Sequence, residues 1–173
     1  MVGHLRAVKD PLLAAEASAL LPSESRVRVV HIGACLEAQY EPLVRAQMQR
    51  NPRYVWLGPR SRSETLAQIA RAHVLALTSR AEGGANVVAE ALMAGTVVLA
   101  TRIEGAVGQL GERYEGFFPV GDARALAELL LRCERDPTFF ARLRDSCAQL
   151  RSQFDPARER ESWRTLLRAL APA

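Results

Sequence analysis

The stretch that decides the fold is Ser79-Arg80-Ala81-Glu82-Gly83-Gly84-Ala85-Asn86-Val87-Val88-Ala89-Glu90-Ala91-Leu92-Met93-Ala94-Gly95. It follows an apolar run, Val74 to Thr78, read as a strand, and leads into a helical pattern over Asn86 to Ala94 that Gly95 ends in a left-handed conformation. A Gly-Gly turn at the carboxyl end of a strand lets the backbone approach a ligand closely, and the new helix points its free amides outward. Gly83, Gly84 and the amides of Ala85, Asn86 and Val87 therefore form a candidate anion cradle. Glu82 lies in the loop and Glu90 about one helical turn inside, so one carboxylate can meet the front of a phosphorylated ligand and the other a hydroxyl-rich moiety behind it. A plain tight turn with two solvated glutamates is the competing interpretation.

Outward from this segment, short apolar runs alternate with longer helical patterns in the order expected of βαβ units. The strands are read as Val27 to Ile32, Tyr54 to Leu57, Val74 to Thr78, Val97 to Ala100 and Phe117 to Val120. The intervening helices are read as Pro11 to Leu21, Glu37 to Arg50, Glu64 to Ala72 and Asn86 to Ala94, the third opening with a Ser61-x-x-Glu64 capping box. Three Asp-Pro pairs, Asp10-Pro11, Asp136-Pro137 and Asp155-Pro156, mark helix starts, with Asp able to cap and Pro preset for the first turn. Helices then carry the chain to its end, with apolar positions at Leu126, Leu129, Leu130 and Cys133, at Phe140, Leu143, Cys147 and Leu150, and at Trp163, Leu166, Leu167 and Leu170. The fold class is α/β, a Rossmann-like parallel sheet with helices on both faces, in one domain over residues 1–173. Only Met1-Val2 precedes Gly3, where such an array opens with a full strand, so the first strand is expected to be short and the chain to be half of something larger.

Composition agrees with a packed domain: 173 residues, 49% apolar and 24% charged, lie far from the low-hydrophobicity, high-charge corner of disordered chains. No apolar stretch approaches the ~18 residues of a membrane span, and from Met1-Val2-Gly3-His4-Leu5-Arg6, which lacks an apolar core and a cleavage signal, no secretion signal is expected. Three cysteines without CxxC spacing and three scattered histidines predict neither a disulfide framework nor a zinc site, and a reducing cytoplasm fits best. The net charge of +4 comes almost wholly from arginine, because Lys9 is the one lysine among 23 basic residues.

The spacing Glu82 to Glu90, with Glu-Ala-Leu-Met-Ala-Gly and the apolar Thr96-Val97-Val98-Leu99-Ala100 after it, resembles the C-terminal domain of the retaining glycosyltransferases of the GT-B fold, called group 1 or family 4. Upstream, Tyr54-Val55-Trp56-Leu57-Gly58 resembles the family's strand and glycine before the nucleotide base, and Gly3-His4-Leu5-Arg6-Ala7-Val8-Lys9-Asp10 resembles its Gly-Arg-Leu-x-x-x-Lys-Gly loop. The likeness covers about residues 2 to 135. It implies that Glu82 contacts the transferred sugar, that the amides around Ala85, Asn86 and Val87 hold the diphosphate, that Glu90 holds the ribose, and that Lys9 neutralises the leaving diphosphate. Where the family has Arg five residues before the Lys, this chain has His4, with Arg6 two positions later as the substitute cation. Tyr114-Glu115-Gly116-Phe117-Phe118-Pro119-Val120-Gly121-Asp122, together with Glu82 to Ala91 and Thr101 to Gly105, is similar to the selenosugar synthases of selenoneine biosynthesis, which join the sugar of a UDP-sugar such as UDP-N-acetylglucosamine to selenium from selenophosphate.

The resemblance thus implies a nucleotide-sugar donor as ligand, no further cofactor and no dedicated metal site, in keeping with the absence of an Asp-x-Asp motif. It also implies a partner, an N-terminal GT-B domain that supplies the acceptor, without which the chain should bind donor but transfer nothing. The terminal helix, about 155–173, is the expected contact with that domain through Trp163 and Leu167. Two alternatives stand beside this. A GT-B-like sugar-nucleotide epimerase would share the half-fold, whereas a basic nucleic-acid or regulatory module would use Arg142, Arg144, Arg151, Arg158, Arg160, Arg164 and Arg168. Those arginines are interleaved with Asp145, Glu159 and Glu161 and lack an aromatic stacking platform, so no specific nucleic-acid partner is expected.

Overall fold

The computed structural model describes residues 1–170, apart from the side chains of Pro156 and Glu159; the last three positions of the expected terminal helix lie outside the described residues. Five short strands, β1 (Val29–His31), β2 (Tyr54–Trp56), β3 (Val74–Leu77), β4 (Val97–Thr101) and β5 (Phe117–Phe118), alternate with helices. The helices are α1 (Leu13–Ala19), α2 (Tyr40–Arg50), α3 (Arg62–Arg71), α4 (Asn86–Ala94), α5 (Glu104–Leu110), α6 (Ala123–Arg135), α7 (Pro137–Leu150) and α8 (Pro156–Leu170). Among the described residues every strand pair is parallel, the arrangement that helical crossover connections between successive strands permit. β4 is buried along its whole length and sits between β3 and β5.

The sheet is parted rather than continuous: β1 pairs with β2, and β3, β4 and β5 form a second sheet. Residues 1–5 run between the two, with Val2 bridging Ile32 and Leu5 bridging Cys35, both in parallel sense. Four of the five strands are shorter than expected, β4 runs one residue further, to Thr101, and Val120 is 40% exposed beyond the end of β5. Pairing, not apolar character, sets a strand's ends.

Several helix ends follow local chemistry. Ser61 and Glu64 form the reciprocal capping box of α3, Asp136 accepts from the Phe139 amide at 2.9 Å, and Asp155 accepts from that of Ala157 at 2.8 Å. Gly95 closes α4 at φ 78°. Asp10 departs from expectation. It lies at φ 45°, its carboxylate pairs with Arg80 at 2.8 Å, and α1 begins three residues later with no side-chain cap. The ion pair at the end of β3 claims the side chain that a cap would have used. Helix α5 was not read from the sequence at all. One core runs from Leu5 and Leu13 through β4 to Leu126, Phe139 and Cys147, and so fixes the loops at the carboxyl ends of the strands.

Candidate donor site at the strand ends

The loop from Ser79 to Ala85 is held from three directions. Residues 7–9 form a 3-10 turn laid against the end of β3, where the Thr78 hydroxyl donates to the Lys9 carbonyl at 2.8 Å and the Arg80 amide donates to that of Val8 at 2.8 Å. The Thr101 hydroxyl, at the end of β4, donates to the Ser79 carbonyl at 2.6 Å. Helix α5 supplies the third brace: a Cβ on Gly105 would lie 2.2 Å from the Glu82 carbonyl oxygen, so only glycine lets the helix lie this close.

These braces bring Lys9 to Glu82, 73 residues away, in a hydrogen-bonded ion pair. The two side chains are 18% and 15% exposed, and the Ser79 hydroxyl donates to the same Glu82 oxygen at 2.7 Å. Burial alone would raise the carboxyl's pKa, but the hydrogen bonds from Lys9 and Ser79, then the charges of Lys9 and Arg6, outweigh it and hold Glu82 below the ordinary carboxylate range. Arg6 acts on Glu82 only through its charge, the smallest of these contributions. His4 does something else: its ring is exposed and Nδ1 accepts from the Ala34 amide at 3.0 Å, which fastens residues 3–5 to the turn after β1.

The first turn of α4 points into the same region. Its N-cap, Ala85, has no capping side chain, and the Val88 amide bonds the Ala85 carbonyl at 2.9 Å, which leaves the N–H groups of Asn86 and Val87 without an intrahelical acceptor, whereas the Ala85 amide, expected beside them at the diphosphate, donates to Gln109 Oε1 at 3.0 Å. Gly83 and Gly84 are exposed, with open space around both. They leave room in front of the amides. Glu90 lies deeper on α4, where Oε1 is 3.9 Å from the guanidinium of Arg62 at the start of α3.

Gly58, at φ 73°, turns the chain after β2, and its carbonyl accepts from the Gly33 amide at 3.1 Å. Gly33 in turn lies under the Gly3 carbonyl, which a Cβ would meet at 1.9 Å. His31, buried at the end of β1, locks this corner. It donates from Nε2 to the Gly3 carbonyl at 2.9 Å and accepts at Nδ1 from the Tyr54 hydroxyl at 2.8 Å. Burial pushes its pKa down to about 4, so the ring is neutral, and the Tyr54 hydroxyl is pushed up. Of the expected site residues, Lys9 and Glu82 meet at the loop that leads into α4, Arg6 adds its charge to the same carboxylate, and Glu90, Gly58 and His4 make no hydrogen bond or ion pair with that pair. Ser79, Thr101, Gly105, Gln109 and His31 were not singled out from the sequence.

Two depressions, of about 950 Å³ between β1 and β3 and about 590 Å³ beside α7, lie away from this loop. Among the described residues there is no cluster of three His, Cys, Asp or Glu side chains placed to hold a metal ion, and no helix is long and apolar enough to cross a membrane.

A domain built this way matches the family model described as Glycosyl transferases group 1, over residues 1–152. The chain belongs to that family. Its α/β architecture is that of a GT-B glycosyltransferase half. The Anabaena protein HepE, solved in complex with UDP, is 26% identical over 98% of this chain, with a TM-score of 0.83. The same protein solved with UDP-glucose superposes equally well, at TM-score 0.83. A glycosyltransferase from Rickettsia africae, 17% identical over 100% of this chain, shares the fold at TM-score 0.79. In each case the group 1 chain spans about half of the solved protein, 48% of its length. No curated protein matches it.

Proposed function

We propose that this chain binds the UDP-sugar donor of a retaining glycosyltransferase, with Lys9, Arg6 and the first amides of α4 receiving the diphosphate, Glu90 the ribose and Glu82 the sugar. The observation that carries the reading is the ion pair of Lys9 with Glu82, with the charge of Arg6 acting on the same carboxylate, on the loop that leads into the free amides of Asn86 and Val87. Departure of a nucleoside diphosphate builds negative charge on the leaving phosphate. Fixed cations and helix amides stabilise that charge more in the transition state than in the ground state. Glu82, kept ionised by its neighbours, can accept hydrogen bonds from sugar hydroxyls and offset positive charge at the reacting carbon. No metal or cofactor enters this scheme. A second domain, supplying the acceptor, would complete the cleft, and the chain alone should bind donor without turnover.

Calorimetric titration of UDP and UDP-N-acetylglucosamine, at low and physiological salt, tests this. Saturable one-site binding should be lost in Glu90→Ala and weakened about tenfold in Lys9→Ala. No UDP binding at millimolar concentration, with steeply salt-dependent binding of an unrelated oligonucleotide, would replace it with the basic-module reading.

The acceptor is a finer matter. The run Glu82 to Ala91 with Tyr114 to Asp122 supports a selenosugar synthase, with selenium from selenophosphate as nucleophile. Reconstitution with its N-terminal domain and mass analysis of the product after supplying UDP-N-acetylglucosamine and selenophosphate would decide it. An oxygen-linked or epimerised product rules it out.

A further inference from the structure

Helix α4 opens on a residue that cannot cap it. Ser, Thr, Asp or Asn at that position would accept a hydrogen bond from the second or third amide of the helix and so occupy it. Ala85 has no such group, is 5% exposed, and is gripped instead from another helix. Gln109 of α5 accepts from the Ala85 amide at 3.0 Å through Oε1 and donates to the Ala85 carbonyl at 3.2 Å through Nε2. Only a carboxamide side chain offers a donor and an acceptor side by side for such a two-point clasp. Helix α5 holds the loop at two places: through Gly105 against Glu82, and through Gln109 at Ala85. Gly83 and Gly84, between them, stay open.

We infer that Gln109 is a positioning residue for the donor: it fixes the start of α4 from outside, and so leaves the amides of Asn86 and Val87 to the diphosphate. This rests on the donor-binding reading above. The contribution differs from ordinary stabilisation because it concerns the phosphates and not the nucleoside. A local cap would stabilise the helix equally well while competing with the ligand for an amide.

The test titrates UDP, inorganic pyrophosphate and uridine into the full chain, its Gln109→Met variant and its Ala85→Ser variant, with melting curves for each. Gln109→Met, equal in length but without the clasp, should weaken UDP and pyrophosphate about tenfold and leave uridine unchanged. Ala85→Ser should keep or raise the melting temperature and still weaken UDP and pyrophosphate, since its hydroxyl takes an amide. If Gln109→Met does not fold, Gln109→Asn, which keeps the carboxamide but is one methylene too short for the clasp, is titrated in its place with the same expected loss for UDP and pyrophosphate. Unaltered UDP affinity in both variants, or equal loss for uridine, overturns the role of Gln109 while donor binding by the unaltered chain stands. Failure of the unaltered chain to bind any of the three overturns the donor-binding reading, and this inference with it.

Discussion

The two ends of strand β3 are built from opposite chemistry. At the carboxyl end, Thr78, Ser79 and Arg80 are tied by hydrogen bonds and ion pairs to residues 8–10, Glu82 and Thr101. At the amino end, Val74, Leu75 and Ala76 border a cleft of about 950 Å³ whose other walls include Val27 to Val30, Ile69, Leu130 and Phe140. The first end is polar and positions groups. The second is mainly apolar, and packing is what holds it. The contrast teaches that stability and ligand geometry have been separated along one strand, so substitutions at the two ends should fail in different assays.

The largest expected effect is on packing. Leu75 is 2% exposed, and Leu75→Ala should lower unfolding free energy by about 3 kcal/mol, read as a lower urea midpoint at unchanged slope. UDP affinity of the folded fraction should stay within about twofold. A parallel collapse of affinity would show that the two ends are not separate. Next comes acid. His31 is neutral when folded, its pKa drawn to about 4 by burial against the pull of the Gly3 carbonyl, while the unfolded ring takes its proton near 6.5. The unfolded chain therefore binds the extra proton first, and stability is lost as pH falls from about 6.5 towards about 4. The loss between pH 7 and 5 should be about 2 kcal/mol by denaturant titration. His31→Gln should flatten that slope, and an unchanged slope would place the acid sensitivity elsewhere.

How much of this was legible depended on the range of the interaction. Helix α4 and its closure at Gly95, the Ser61–Glu64 box and the Asp136 and Asp155 caps were readable because each is decided within four residues. Helix α5 was not, since Glu104–Leu110 contains Gly105, Gly108 and β-branched Val107, a poor helix by propensity that only packing against the loop sustains. The parting of the sheet was equally hidden, because strand pairing is set by partners distant in sequence. His31 looked like any isolated histidine until Gly3 and Tyr54, 28 and 23 residues away, closed on its two nitrogens. Lys9 stood out by being alone, and Glu82 by its spacing to Glu90, but their contact spans 73 residues and no local rule announces it.

The polar end can be broken sterically. Gly105→Ala should cost about 1–2 kcal/mol, because the added carbon must push α5 or the Glu82 carbonyl aside. UDP affinity should drop by more than tenfold, out of proportion to that loss. A stability loss with intact affinity would mean that the loop keeps its shape without α5.

The smallest effect on stability, and the sharpest on the site, belongs to Lys9→Met. The pair with Glu82 is partly exposed, so its removal should change unfolding free energy by less than about 1 kcal/mol. The carboxyl itself should respond more. With Lys9 gone, burial is opposed only by the Ser79 hydroxyl and the Arg6 charge, and the Glu82 pKa must rise. In the unaltered protein a carboxylate held below its ordinary range contributes stability that is present above the ordinary value and is lost as pH falls through the depressed one. Carbon-detected NMR titration of the Glu82 carboxyl in both proteins measures the difference directly. If Arg6→Met moves the titration as far as Lys9→Met does, the site has two equivalent cations, and the arginine that the chain carries two positions late has taken over the role vacated at His4. If only Lys9→Met moves it, charge compensation at Glu82 rests on the one lysine in the sequence, and Arg6 serves the backbone of its own turn.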